Sequence, residues 1–282
     1  MKRLLSFSVL CCAMAIAPYA HGQITFGDTL ATVEGNGGGE GNTLGDFTNT
    51  VFTVYNESVI TAAGINPGDV LTGLAFRVDG GNSAPNFTAI DYQIDLGRSI
   101  NSAGNLVDIF ADNADSNGLI SVRTGPLDFV AADYEAVNPN NSTGTANAFG
   151  PEITITDYIY TGGDLLVRIS NGGRQALADG SAIVESRADN VVEQTFNLDG
   201  SVQFANDDTQ TLFGSGFGAT VRSFGSPPTF DGDGNITDPG GSFGFAPIIQ
   251  FSVTPASIPE PSSAALLMGI GLIGAVRRRR KK

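Results

Sequence analysis

Ile153-Thr154-Ile155-Thr156 and Leu165-Leu166-Val167-Arg168-Ile169, joined across the turn cluster Thr161-Gly162-Gly163-Asp164, decide how the chain is read. Both runs are short and rich in β-branched residues. The first alternates apolar and polar side chains with period 2, the repeat of a strand and not the 3.6 of a helix. In the turn, glycine reaches positive φ without a steric penalty and aspartate bonds to nearby backbone. Gly162-Gly163-Asp164-Leu165-Leu166 is therefore read as a turn feeding a buried strand.

The same grammar continues on both sides. Val51-Phe52-Thr53-Val54-Tyr55, Leu74-Ala75-Phe76-Arg77-Val78, Ala89-Ile90-Asp91-Tyr92-Gln93-Ile94-Asp95-Leu96, Ala219-Thr220-Val221-Arg222-Ser223-Phe224 and Ile248-Ile249-Gln250-Phe251-Ser252-Val253 are read as further strands. Asn66-Pro67-Gly68-Asp69, Asp79-Gly80-Gly81-Asn82 and Asn171-Gly172-Gly173 are turns of the same kind. Helix has little room: residues 56–64 and 99–114 each hold a turn or two. Many short strands without alternating helices predict an all-β fold, an antiparallel β-sandwich of jelly-roll-like form, in one body over residues 23–255. Two stretches stand outside the pattern. Glu34-Gly35-Asn36-Gly37-Gly38-Gly39-Glu40-Gly41-Asn42 lacks the Gly-Lys-Ser/Thr ending of a phosphate loop and is read as a flexible loop. Residues 225–244 make a long Pro-, Gly- and Asp-rich excursion before the last strand.

The two ends carry an address. Lys2 and Arg3 precede the apolar stretch 4–17, and Pro18-Tyr19-Ala20-His21-Gly22-Gln23 offers small residues for cleavage after Ala20 or Gly22. Residues 1–22 are thus read as a signal peptide with a helical apolar part. Both cysteines, Cys11 and Cys12, lie inside it, and Val9 and Leu10 are too bulky for a lipoprotein signal. At the other end, Ile258-Pro259-Glu260-Pro261 leads into an uncharged apolar run, residues 262–276, closed by Arg277, Arg278, Arg279, Arg280, Lys281 and Lys282. As a helix those 15 residues reach roughly 22 Å, short of the roughly 30 Å hydrocarbon core. Gly269, Gly271 and Gly274 weaken it further. Six cations in a row hold the C-terminus on the cytoplasmic side. Residues 256–282 are read as a membrane stop signal with a short transmembrane helix, a transient hold more than a permanent anchor.

Pro259-Glu260-Pro261, the short apolar helix and the Arg-rich end resemble, in that order, the PEP-CTERM sorting signal of exported bacterial proteins, over about 25 residues. The resemblance implies recognition by an exosortase, a membrane protease-transpeptidase that cuts near the Pro-Glu-Pro motif, after passage through the secretion machinery. The same tail is sometimes labelled an ice-binding protein C-terminal domain, a label for the tail's company and not for an activity. Within the body, Gly73-Leu74-Ala75-Phe76-Arg77-Val78-Asp79, Gln93-Ile94-Asp95-Leu96-Gly97 and residues 157–169 resemble, more loosely, segments of secreted PEP-CTERM proteins of unassigned activity. That likeness implies a β-sandwich ectodomain and brings no catalytic residues.

Removing the ends changes the charge. Between residues 23 and 257 there are seven arginines and no lysine against 28 acids, about −21. Such a body repels nucleic acid and anionic lipid surfaces. The only histidine, His21, sits at the signal cleavage site, and no mature thiol remains, which excludes Ser-His-Asp and Cys-His nucleophiles and His/Cys zinc sites. Carboxylates alone are left for chemistry, and no Glu-x-Asp-x-x-Glu strand of the jelly-roll glucanase type is present. No enzymatic activity is expected.

Calcium is the one cofactor the acids allow. Asp231-Gly232-Asp233-Gly234-Asn235 spaces oxygen donors so that a tight turn can aim Asp231, Asp233 and Asn235 at one hard cation. It departs from an EF-hand loop, with Ile236 at the sixth place and Ser242 at the twelfth. Asn113-Ala114-Asp115-Ser116-Asn117-Gly118 is a second acidic turn, with Thr124 at its twelfth place. Glycan binding has no Trp to use, and Tyr55, Tyr92, Tyr134, Tyr158 and Tyr160 fall mostly in strands, where packing is the default. Thr154 and Thr156 form a single pair and not the ladder that ice binding requires. The reading is an exported structural or interaction protein of the cell envelope or extracellular matrix. It is held transiently in the inner membrane and then displayed or released; the alternative is a calcium-assisted module binding extracellular polysaccharide.

Overall fold

The computed structural model describes residues 22–25, 32, 34, 44 and 48–256, the last with breaks at 104, 140–143, 185, 187, 189, 193, 197–201, 205–208, 216–228, 231–235 and 239–244. The signal segment, the tail from residue 257, the strand expected at Ala219–Phe224 and the triad Asp231, Asp233 and Asn235 lie outside the described residues. The strands in chain order are β1 (Gly22–Thr25), β2 (Asn49–Tyr55), β3 (Val70–Phe76), β4 (Phe87–Ala89), β5 (Tyr92–Arg98), β6 (Ile120–Arg123), β7 (Leu127–Phe129), β8 (Ile153–Ile159) and β9 (Leu165–Asn171). They continue as β10 (Arg174–Gln175), β11 (Asn190–Val192), β12 (Gln194–Phe196), β13 (Val202–Phe204), β14 (Thr209–Ser215), β15 (Thr229–Phe230), β16 (Ile236–Asp238), β17 (Phe245–Pro247) and β18 (Ile249–Thr254). One short helix, α1 (Glu57–Ala62), and two 3-10 turns, Phe110–Asn113 and Ala131–Asp133, fall between them. The first two of these three lie where the sequence left room for helix.

Two sheets make the sandwich. One has the order β14-β2-β9-β5-β6 and the other β1-β18-β3-β8, with antiparallel neighbours throughout. Setting the extra edge strand β14 aside and counting the other members in chain order, one sheet holds the first, eighth, third and sixth, and the other the second, seventh, fourth and fifth. That is the strand order of a jelly roll, whose chain crosses between the sheets at almost every turn. Smaller pairings lie outside these two sheets, among them β10-β4-β7, whose Phe87, Ala89 and Phe129 join the shared core.

Period 2 sends alternate residues to opposite faces. From the five-stranded sheet, Tyr55, Ile94, Leu96, Leu165, Val167 and Ile169 point inward. Leu71, Leu74, Phe76, Ile153, Ile155, Tyr158, Ile249, Phe251 and Val253 meet them from the four-stranded sheet in one continuous core. The outward residues of the two sheets have different fates. On β8, Thr154, Thr156 and Ile159 face solvent. On β2 and β9, Phe52, Val54 and Leu166 are covered a second time, by Phe110, Leu106, Ala114 and Leu119 of the connection between β5 and β6. Phe110 stacks on Phe52 with ring centroids 4.8 Å apart.

This cover is pinned by one side chain. The Asn113 amide donates to the Val107 and Ile109 carbonyls at 2.8 and 3.1 Å and accepts from Val107 N and Asn101 Nδ2 at 2.9 and 3.0 Å. On the same sheet, Arg168 Nε lies 2.7 Å from Asp95 Oδ2 across neighbouring strands, and Gln93 Nε2 donates to the same carboxylate. Asp95 is 1% exposed, so the pair is held in a site where an unpaired charge would be costly.

Candidate functional site

β18 lies between β1 and β3, so the last described segment of the chain is a central strand, and where it leaves the sheet is set by its neighbours. The exit is closed by the turn the sequence marked at Asn66-Pro67-Gly68-Asp69. Gly68 stands at φ +98°, a conformation that disfavours any side chain. The carboxylate of Asp69, 5% exposed, works in two directions. Its Oδ2 accepts from Asn66 N at 2.8 Å, closing the turn, and its Oδ1 accepts from Ala256 N at 2.7 Å. Main-chain bonds from Gly68 N to Tyr160 O (2.7 Å) and from Tyr160 N to Asp69 O (2.9 Å) fix the same turn to the end of β8. The last described residue, Ala256, two past the end of its strand, is thus held by the body.

The rest of this end is a clasp of carboxylates on backbone. Glu57, at the start of α1, accepts from Gly163 N at 2.9 Å, and Asp164 accepts from Glu57 N at 2.8 Å. Tyr160 donates to Gly163 O at 2.5 Å. Gly162 and Gly163 stand at φ +89° and +82°, as the turn reading required. The beginning of the described chain is at the same end: Gly22 of β1 pairs with Val253 of β18. The segments that precede Gly22 and follow Ala256 therefore leave from adjacent strands.

The opposite end is polar and closed. Glu34 opens the glycine stretch read as a flexible loop, yet it is buried, with Gly80 N donating to it at 2.7 Å and Asn138 Nδ2 at 2.9 Å. Asp79 accepts from Asn82 Nδ2 at 2.6 Å, and Asn147 binds Val137 N, Asn138 N and the Val78 carbonyl. An acid among glycines carries no sequence signal for such a role, because its partners lie far along the chain. Among the described residues no three of His, Cys, Asp and Glu gather as a metal site. At the second acidic turn, Asp115 accepts from the main-chain and side-chain nitrogens of Asn117, while Asn113 points into the cover. The first acidic turn bridges a two-stranded hairpin, in which Phe230 of β15 pairs with Ile236 of β16, and its three donors are outside the described residues.

Tyr55, Tyr92, Tyr134, Tyr158 and Tyr160 are all buried, so none is presented to a sugar ring. Burial pushes the Tyr55 hydroxyl well above its ordinary pKa. The Tyr92 hydroxyl is raised too, first by burial and then by Tyr134. No described helix is long and apolar enough to cross a membrane, and the apolar run 262–276 lies outside the described residues.

Comparison with known families places residues 257–281 in the PEP-CTERM protein-sorting motif. The match covers the tail, Pro259-Glu260-Pro261 and Arg277 to Arg280 included, and begins one residue past Ala256. Comparison with curated proteins finds no match.

Proposed function

We propose, from the premise that residues 257–281 are a PEP-CTERM protein-sorting motif, that this exosortase-sorted surface protein is cut near Pro259-Glu260-Pro261. It then serves as a structural or interaction protein of the cell envelope or matrix and not as a catalyst. The sorting motif carries the reading. The supporting physics is the tail's shortness: an apolar run of roughly 22 Å holds a bilayer weakly, which suits a segment held only until it is removed. After the cut the body keeps its closed sandwich and an excess of acids, about −21, which keeps it dispersed from like-charged surfaces. With no thiol in the mature chain and His21 at its start, the body lacks the usual nucleophile–base pairs.

Mass spectrometry of the secreted protein tests the reading. The expected mature chain ends between Ile258 and Ser262, and a secreted chain still ending in Lys282 refutes it.

A further inference from the structure

The bond from Ala256 N to Asp69 fixes the point from which the tail departs, and chain length then limits where the body can be. Three steps separate Ala256 from Pro259, about 10 Å when fully extended, and six separate it from Ser262, about 20 Å. A protease cutting near Pro259-Glu260-Pro261 has to seat residues on both sides of the bond, so its cleft comes within about 10 Å of the body. The apolar part of the signal segment ends at Ala17, five steps or about 17 Å before Gly22, which pairs with Val253 one strand away from the tail. Both membrane-directed segments therefore leave one end of the sandwich, from adjacent strands.

We propose that, before it is cut, the sandwich stands end-on over the membrane, with the end built from the Asn66–Asp69 turn, α1 and the Tyr160–Asp164 turn apposed to the outer face of the membrane protease. The proposal rests on cleavage near the Pro-Glu-Pro motif. The chemistry of this end suits a protein partner better than a lipid surface. Its acids Glu57, Asp164 and Asp69 are tied to main-chain nitrogens, whereas Ile159 and Ile100 are 59% and 64% exposed, and Asn66, Pro67 and Thr161 are exposed too. The net charge of the body, about −21, disfavours an anionic lipid surface even with the exposed Arg98 at this end. Val137, 73% exposed, belongs to the far end, where Gly81 N donates to the carbonyl of the next residue, Asn138.

The test uses the full chain secreted from cells that contain the exosortase, followed by pulse-chase and mass spectrometry. Thr161→Arg or Asn66→Arg, each placing a long cation on the apposed end, is expected to slow tail removal about tenfold, while Val137→Arg at the far end leaves it unchanged. A six-residue Gly/Ser spacer after Ala256, adding a reach of up to about 20 Å, is expected to restore the end-face variants to the unsubstituted rate. Melting of each purified body identifies any variant that is slow because it misfolds, and the other end-face variant then stands in its place. Unchanged rates for the folded end-face variants, equal slowing by Val137→Arg, or failure of the spacer to restore the rate would each overturn the proposal. An unsubstituted chain secreted intact to Lys282 instead defeats the cleavage reading on which it rests.

Discussion

β2 and β9 at the centre of one sheet are buried on both faces and β8 at the edge of the other on one, though both sheets feed the same core. On β2 all seven residues are buried, while β8 alternates, with Ile153, Ile155 and Tyr158 inside and Thr154, Thr156 and Ile159 in water. The difference arises from the connection that follows β5, whose residues Leu106, Phe110, Ala114 and Leu119 fold back over Phe52, Val54 and Leu166. An antiparallel sheet can leave one face wet, and it gives up alternation only where something covers that face. The outer face of β2 and β9 is thus a second, smaller core, and the outer face of β8 is a solvated surface, while Gly73 and Ala75 of β3 and Ser252 of β18 are buried.

Truncation on the two outer faces tests this most severely. Phe52→Ala removes the ring that stacks on Phe110 and is expected to cost about 3–5 kcal/mol, as much as Phe251→Ala in the shared core. Thr154→Ala on the solvated face should stay within about 0.5 kcal/mol. Urea unfolding measures all three. A Phe52→Ala cost as small as that of Thr154→Ala would mean the cover contributes nothing.

Alkali distinguishes the two cores by chemistry. Tyr55 and Tyr92 belong to the shared core, and the cluster under the cover contains no tyrosine. Burial raises both hydroxyls above the unfolded value of about 10, so the neutral form is favoured in the folded state. Their contribution is complete below pH 10 and is lost as pH rises, because only the unfolded chain then releases protons. At pH 11 each should have given up about 1.4 kcal/mol, together near 3. Stability measured from pH 9 to 11 should fall by at least that much, because the Tyr134, Tyr158 and Tyr160 hydroxyls are raised by burial as well. Tyr55→Phe with Tyr92→Phe should lessen the decline by their own share. A decline of the same slope in the double variant would rule these two out.

A third probe addresses the buried charge of the five-stranded sheet. Arg168→Leu leaves the Asp95 carboxylate buried with Gln93 as its remaining side-chain donor, and about 2–3 kcal/mol is expected, at the low end for buried pairs because Arg168 is 21% exposed. Glu152→Ala, which removes the carboxylate that Ser252 Oγ bonds on the solvated face, should change stability by less than about 0.5 kcal/mol. Equal costs for the two variants would mean that the burial of Asp95 does not keep water from its carboxylate.

The legibility of the chain follows the same division. Strand positions could be read wherever period 2 or an apolar run met a glycine turn, as at β2, β3, β5, β8, β9 and β18. β14 was missed because Thr209-Gln210-Thr211-Leu212-Phe213 has only two adjacent apolar residues, enough for an edge strand that pairs with β2 alone in its sheet. The cover was invisible: residues 99–119 have no period, and their apolar members acquire meaning only against a sheet they meet through tertiary packing. Asp69 was read as a turn residue, but its bond to Ala256 spans 187 positions and leaves no local trace. Glu34 is the same case at the other end. The tail was the reverse, since Pro259-Glu260-Pro261, the apolar run and the cations state their chemistry in order without a fold.

The smallest effects come from two glycines in equivalent places on the two sheets. Gly97 of β5 faces the cover, and a Cβ there would lie 2.9 Å from the carbonyl oxygen of Gly118 and 3.0 Å from Leu119 Cδ2. The first of these is backbone and cannot swing aside, so Gly97→Ala should lift the cover at a cost of about 1–2 kcal/mol. Gly73 of β3 is buried on the outward side of its strand beneath the exposed Glu152, and a Cβ there would meet the Glu152 side chain at 2.5 Å. That contact is closer, yet it should cost less, because an exposed glutamate can rotate into water and loses only its bond to Ser252. The methyl group also narrows the unfolded ensemble, which offsets the loss by about 0.4–1 kcal/mol. Gly73→Ala is therefore expected to be neutral within about 0.5 kcal/mol, with no further change when Glu152→Ala is added. A cost for Gly73→Ala equal to that of Gly97→Ala, measured by urea unfolding, would show that the second face is rigid as well and that the exposure of Glu152 does not make it yielding.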